Sequence, residues 1–423
     1  MKKIYYFLSV CMLPLFASCG DDIDPIQREY FEVDWDTSIP IKDVSEPMRH
    51  PGLFTEADYQ RGRENVAVNQ EPFTTMWSNL NSQCNLGIRP NPTKKIIRDG
   101  NKPEEPEPTN FQNANAQVTA AYNLALRWRL TPDDKKEEAK AYADKAVELL
   151  NAWADVCERV SGDPNYALAA GLTGAQFSMA GEVLRGYEGW AEQDFKDYQA
   201  WVLKVFYEAN SNYLKVHMGS EPLHYWANWD LCNLCSMMAA GILADRRDVY
   251  NEAIKYLLNG IGNGRLTRAI NHVFTGEYAN FAQLQETGRD QGHATLVIGL
   301  LGQISQLAWS QGDDIYGYND NQFLKACELT ACYNVARLDI PFEPYYYKQN
   351  WTDGYWCETV GEGSRGTNRH MWDMPYYHYT KIKHATSEQT KYTFMGYKSK
   401  VSETDNDADL IGYSALMFGV PLD

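Results

Sequence analysis

Basic residues are scarce in this chain: 39 Lys and Arg stand against 56 Asp and Glu in 423 residues, for a formal charge of −17. Sequence-independent nucleic-acid binding draws its affinity from clustered Lys and Arg, so that function class is excluded. Long apolar runs are lacking too. The one continuous stretch, Ile4 to Phe16, falls short of the ~20 residues a membrane-spanning helix needs. Cysteine is sparse, and with Cys11 and Cys19 set aside the remaining seven cannot all pair. Cys232 and Cys235 form a CxxC inside an apolar run, with no second pair and no His at ligand spacing, and read as small core residues. No phosphate loop, nucleotide fingerprint, HExxH or serine elbow is present. Nothing in the sequence calls for a metal or a cofactor. What the chain does have is 44% apolar residues, twelve Trp and twenty-eight Tyr. It is far too hydrophobic for a disordered tail, and so many rings in so acidic a protein need an explanation.

The first residues resemble a bacterial lipoprotein leader: Lys2 and Lys3, the apolar stretch, then Ala17-Ser18-Cys19. Residues 1–18 are therefore expected to be removed, Cys19 to carry the lipid, and residues 19–48 to form a tether. Loss of the two lysines takes the charge to about −19. The acids following Cys19 resemble outer-membrane export signals, so the expected location is the outer membrane, with the lipid as the one membrane contact.

From about residue 53 to 336 the dominant signal is helical. Thr131-Pro132-Asp133-Asp134 is a helix start, with a capping side chain, a first-turn proline and acids at the positive end. Behind it Ala139, Tyr142, Ala146, Leu149, Leu150 and Trp153 recur at steps of three and four. Similar runs span 112–130, 172–187, 191–212, 224–245, 247–260, 284–310 and 319–336. Successive helices without strong strand alternation predict an all-α fold, an (α/α) toroid of about six to seven hairpins. Residues 49–423 are expected to form a single catalytic domain, monomeric. Residues 86–109, with five prolines, read as an exposed excursion. Residues 340–380 crowd Tyr and Trp with little helical period, as either a small core or a wall facing carbohydrate.

Two polar stripes interrupt apolar helical sequence. In His224-Tyr225-Trp226-Ala227-Asn228-Trp229-Asp230, a helix places His224 and Asn228 on one face with Trp226 and Trp229 beside them. In Gln285-Glu286-Thr287-Gly288-Arg289-Asp290-Gln291-Gly292-His293, a helix aligns Glu286, Arg289 and His293. Burying so many ionisable groups is costly unless they pair or serve a site.

QETGRDQGH at 285–293, QGDDIYGY at 311–318, ACELTACYNV at 326–335, HPGLFTEADYQRGRENV at 50–66 and NWD at 228–230 together resemble the alginate-lyase-like polysaccharide lyases, in the branch that holds gut Bacteroides alginate and glucuronan lyases. YWANW at 225–229 also resembles the YWxxW helix of toroidal alginate lyases, but Pro222-Leu223-His224 replaces the Asn-His pair that precedes it there. The resemblance implies an (α/α) barrel of about seven hairpins and an acidic polysaccharide as partner.

Such enzymes cleave by β-elimination, removing the proton on C5 next to the carboxylate and breaking the C4–oxygen bond. The site must neutralise the carboxylate and stabilise the enolate. Asn228 and Arg289 suit this, with Gln285 or Glu286 as neighbour. A base and an acid complete the set. Tyr278 is the expected tyrosine, from a spacing to His224 that resembles related lyases, and His293 is the base or orients that tyrosine; guluronate, inverted at C5, would use His293 or His224 as base and the tyrosine as acid. Trp226, Trp229, Arg365, Trp372 and Tyr379 are expected to bind sugar. Mannuronate-rich alginate is favoured by the resemblance alone. The competing readings are a β-1,4-glucuronan lyase, a non-catalytic glycan-capturing lipoprotein, and a helical glycoside hydrolase using Glu286 and Asp290.

Overall fold

The computed structural model describes residues 36–400 and 409–421. The leader, Cys19 and most of the expected tether lie outside them. The elements that place the site run as follows: α1 (Glu56–Ala67), α2 (Phe73–Gln83), β1 (Lys95–Ile97), α3 (Phe111–Arg129), α4 (Lys136–Val156), β2 (Arg159–Ser161), α5 (Tyr166–Val183), α6 (Glu192–Val202), α7 (Glu208–Val216), α8 (Ala227–Leu243) and α9 (Arg247–Asn259). Then come β3 (Ile270–Val273), β4 (Ala282–Leu284), α10 (Gln291–Gln311), α11 (Tyr318–Asn334), β5 (Tyr345–Lys348), β6 (Gly354–Cys357), α12 (Asp373–Tyr377) and α13 (Lys391–Lys400).

Two kinds of helix alternate. The helix α4 is amphipathic, burying Ala139, Ala143, Ala146, Leu149, Leu150 and Trp153 and turning Lys and Glu outward. By contrast α5 is buried from Ala167 to Val183, and α8 is buried throughout except for Trp229. A helix apolar all round must be surrounded, so α3, α5, α8 and α10 form an inner ring and their sequence neighbours an outer one. This is the (α/α) toroid expected from the sequence. Small residues let inner helices approach closely: a Cβ on Gly171 of α5 would lie 2.5 Å from the Cys232 sulfur of α8. Cys232 and Cys235 are buried there, as small core residues. No helix among the described residues is long and apolar enough to cross a membrane.

Several local expectations are corrected. Thr131 does not cap the next helix; its hydroxyl donates back to the Arg127 carbonyl, and α4 starts at Lys136 after a 3-10 turn. The run 284–310 is not one helix, because Asp290 is extended (φ −169°) and separates a 3-10 turn, Gln285–Gly288, from α10. Nor does a helix join His224 to Asn228: α8 begins at Ala227, and His224 ends a separate 3-10 turn. The proline-rich excursion is partly tied down, with Glu105 buried against Lys95 and Ser161, and β1 pairing in parallel with β2. Residues 340–380 divide in two. Strands β5 and β6 form an antiparallel hairpin with Tyr346, Trp351, Tyr355 and Trp356 exposed, while Asp373, Met374 and Pro375 of α12 and His378 and Tyr379 after it are buried.

Candidate active site

The site forms where the first turns of α8 and α10 meet the 3-10 turn between them. The leading N–H groups of a helix have no partner within it and need one from elsewhere. At α8 these partners are the two side chains that open the polar stripe: the Ala227 N–H donates to Gln285 Oε1 (3.0 Å) and the Asn228 N–H to Glu286 Oε1 (3.1 Å). At α10 the cap is Asp290, whose Oδ1 accepts from the His293 N–H at 3.0 Å. Two positive helix ends therefore point into one place, which favours an anion.

Arg289 sits between them. Its Nη1 lies 3.3 Å from Glu286 Oε2 and 3.5 Å from Asn228 Oδ1, and its Nε 3.6 Å from Asp290 Oδ2. The guanidinium also lies over the Trp226 ring, 5.2 Å from its centroid. Glu286 is fully buried, and burial pushes its carboxyl up to about 7 although Arg289 pulls it down. His293 Nδ1 lies 2.6 Å from Asp290 Oδ2, which leaves Nε2 as the outward nitrogen. Burial, with the charge of Arg289, lowers the His293 pKa below its usual value against the pull of Asp290. The imidazole is therefore neutral near pH 7, a proton acceptor held by a carboxylate. Asn228, Glu286, Arg289 and His293 come together as the sequence stripes suggested, but through two helix starts rather than one helical face.

Other expected residues lie elsewhere. Trp372 and Tyr379 are core, with relative exposures of 1% and 0%. The Trp372 indole N–H donates to Asn368 and the Tyr379 hydroxyl to the Tyr316 carbonyl, so neither ring offers a face to a ligand. Arg365 lies over the Tyr333 ring and donates to the carbonyls of Tyr333 and Leu338, anchoring the loop that crosses the start of α10. His224 contacts the Gln349 carbonyl through Nδ1, docking the hairpin. Trp229 packs on Tyr213 and Tyr225, a turn inward from Trp226. Tyr278 is exposed at the tip of the β3–β4 hairpin against Phe274 and Phe281, and no hydrogen bond or ring contact among the described residues joins it to His293, Arg289 or Asn228.

The sequence reading missed the residues that close the site from above. Tyr347 stacks on Trp226, with centroids 4.1 Å apart and planes at 10°, and its hydroxyl donates to the His224 carbonyl. Tyr355 packs on Tyr347 at 5.1 Å. Burial raises the Tyr347 hydroxyl to about 12 and raises Tyr355 as well, with Arg289 opposing both shifts. Both hydroxyls stay protonated and can donate. Alternation in Tyr345-Tyr346-Tyr347 was the available signal, since in a strand it turns Tyr345 and Tyr347 to one side. Among the described residues no group of three or more His, Cys, Asp and Glu forms a metal site.

The alginate lyase family model matches residues 53–338. The chain belongs to the alginate lyase family. It is an enzyme, a polysaccharide lyase, and its substrate is an acidic polysaccharide; the glycan-capturing and hydrolase readings fall away. The fold is similar to solved alginate lyases. A variant of alginate lyase A1-III complexed with tetrasaccharide matches with a TM-score of 0.59 at 13% identity, over 89% of this chain and 98% of that one. The A1-III enzyme from Sphingomonas species A1 gives 0.57 at 11% identity, over 89% and 98%. An alginate lyase from Bacteroides ovatus gives 0.54 at 13%, over 88% and 100%. No curated protein matches the chain in sequence.

Proposed function

We propose that this lyase cleaves mannuronate-rich alginate by β-elimination, with His293 as the base. The observation that carries this reading is the convergence of Arg289, Asn228 and a near-neutral Glu286 on a spot beside a neutral His293 whose Nδ1 is fixed by Asp290. Arg289 and Asn228 receive the uronate carboxylate, and Glu286, when protonated, leaves the Arg289 charge to the substrate. Their stabilisation grows as charge moves onto the carboxylate in the enolate, which is what lowers the barrier. His293 Nε2 takes the C5 proton. In mannuronate that proton and the C4 oxygen leave from the same side, so the imidazolium can return the proton to the departing oxygen. Guluronate, inverted at C5, needs a separate acid, and Tyr355, packed on Tyr347 in the hairpin roof, would serve. No step in this scheme calls on a metal, and a chelator should leave the rate unchanged. The Trp226–Tyr347 stack and the exposed rings of the hairpin offer faces for sugar stacking.

Incubation with mannuronate-rich alginate, guluronate-rich alginate and β-1,4-glucuronan, followed by ultraviolet absorbance of the new double bond, tests the reading. The fastest rise is expected with mannuronate; no rise with any polymer would sink it. We also propose a monomer anchored at the outer membrane by lipid on Cys19. Radiolabelled palmitate should enter the wild-type protein in cells and not Cys19→Ala.

A further inference from the structure

A cavity of about 530 Å³ opens between β1 and the exposed side of α3, within the ~300–1,000 Å³ of small-molecule sites. Arg98, just past β1, lies on its wall with the guanidinium 4.6 Å above the Phe111 ring, and this cation makes no hydrogen bond or ion pair with the described residues. Its backbone is fixed on both sides. The Arg98 N–H donates to the Ser161 carbonyl at 3.1 Å, and Gly162 (φ +134°) packs so tightly on the Arg98 carbonyl that a Cβ there would clash at 1.6 Å. Across the cavity α3 presents Thr119 and Asn123 one turn apart. Asn123 is 3% exposed, yet its side-chain amide has no hydrogen bond among the described residues.

The cavity is tied to the site already described through the loop that crosses the start of α10, where the Gln291 N–H donates to the Gly363 carbonyl at 2.8 Å and Arg369 lies six residues on. Asp409 on its rim pairs with Arg369 at 3.2 Å, and the charge of Arg369 acts on His293. Of the two charges on the cavity wall, the acid pairs with Arg369 and the cation has no ion-pair partner among the described residues.

We propose that this cavity is a distal sugar subsite that holds one uronate residue of the bound chain, its carboxylate on Arg98 and its hydroxyls on Asn123 and Thr119. The inference rests on the polyuronate lyase reading and adds to it a second carboxylate contact away from the reacting C5. A guanidinium fixed at its backbone and stacked on a ring suits a planar carboxylate. Such a contact holds ground state and transition state alike, so its loss raises KM and spares kcat.

Arg98→Met keeps the packing on Phe111 and removes the charge. On the preferred polyuronate it should raise KM about tenfold with kcat within about twofold, while Arg98→Lys recovers most of the loss. Thr119→Trp, which fills the cavity from the α3 side, should raise KM likewise and decides the matter if Arg98→Met does not fold. Folding is checked by melting temperature. A KM unchanged in both variants, with the wild type active, overturns the subsite alone. A wild type that releases unsaturated product from no polyuronate overturns the lyase reading instead, and the subsite with it.

Discussion

At the residue scale, the division of labour turns on two groups that burial shifts in opposite directions. His293 is held neutral by burial and Arg289, so it gains its proton only below its ordinary pKa near 6.5. As the base it must be free, and kcat should rise with pH on an acid limb centred below about 6.5 and then level off. Glu286 is raised to about 7 by burial, so it is protonated on the acid side of neutrality and an anion above it. Above about 7 it competes with the substrate carboxylate for Arg289, and kcat/KM should fall as pH rises through that value. Glu286→Gln, which keeps the neutral form at every pH, should remove the alkaline limb while leaving the acid limb in place. An alkaline limb that survives in this variant would assign the effect to another group. His293→Gln should lower kcat by about a hundredfold or more. Tyr278→Phe should stay within about twofold, because the exposed hairpin tip does not reach this group; equal losses in the two variants would restore Tyr278 to the chemistry.

At the element scale, the β5–β6 hairpin is a roof pinned by Tyr345 on the Gln285 carbonyl, Tyr347 on the His224 carbonyl and the Trp226 ring, Lys348 on Glu221, and the Gln349 carbonyl on His224. Trp226→Ala removes both the stacked face and the ring beneath Arg289, contacts worth about 1 kcal/mol each. We expect KM to rise about fivefold to tenfold with a smaller change in kcat, measured on alginate; a loss confined to kcat would mean the ring positions Arg289 rather than sugar. The toroid was legible in the sequence because the inner helices are apolar all round and the outer ones in stripes, a periodicity that survives without knowledge of partners. The site was legible as composition, since buried Glu, Arg and His in one stretch demand mutual pairing. Its geometry was not. Whether 285–293 is one helix depends on Asp290 capping α10 and on Gln285 and Glu286 capping α8, and the second is a tertiary contact across 58 residues. The aromatic segment 340–380 misled for the same reason: composition alone cannot divide a half-exposed hairpin from the buried Trp372 and Tyr379.

At the scale of the whole molecule, a toroid of hairpins needs something to tie distant parts of the chain together, and here the N-terminal segment does it. The Lys42 ammonium reaches Asp313, the Arg247 guanidinium donates to the carbonyls of Glu46 and Pro47, and His50 lies between Glu182 at the end of α5 and Asp245 after α8, at 2.7 Å from each. Burial works against a charged His50, but the bonds to Asp245 and Glu182 outweigh it and raise its pKa to about 9. The folded state therefore binds this proton more tightly than the unfolded chain, whose histidine titrates near 6.5. The resulting stability is fully present below about 6.5, declines above it, and is lost as pH rises through about 9. Its size is of order 2 kcal/mol once the exposure of Asp245 is discounted. Melting the protein between pH 6 and 10 should show this loss. His50→Gln, which keeps hydrogen bonds without the charge, should be less stable at pH 6 and close to wild type at pH 10. A variant whose deficit is the same at both pH values would place the effect in packing rather than in the proton, and would leave the clasp between α5 and α8 without its electrostatic part.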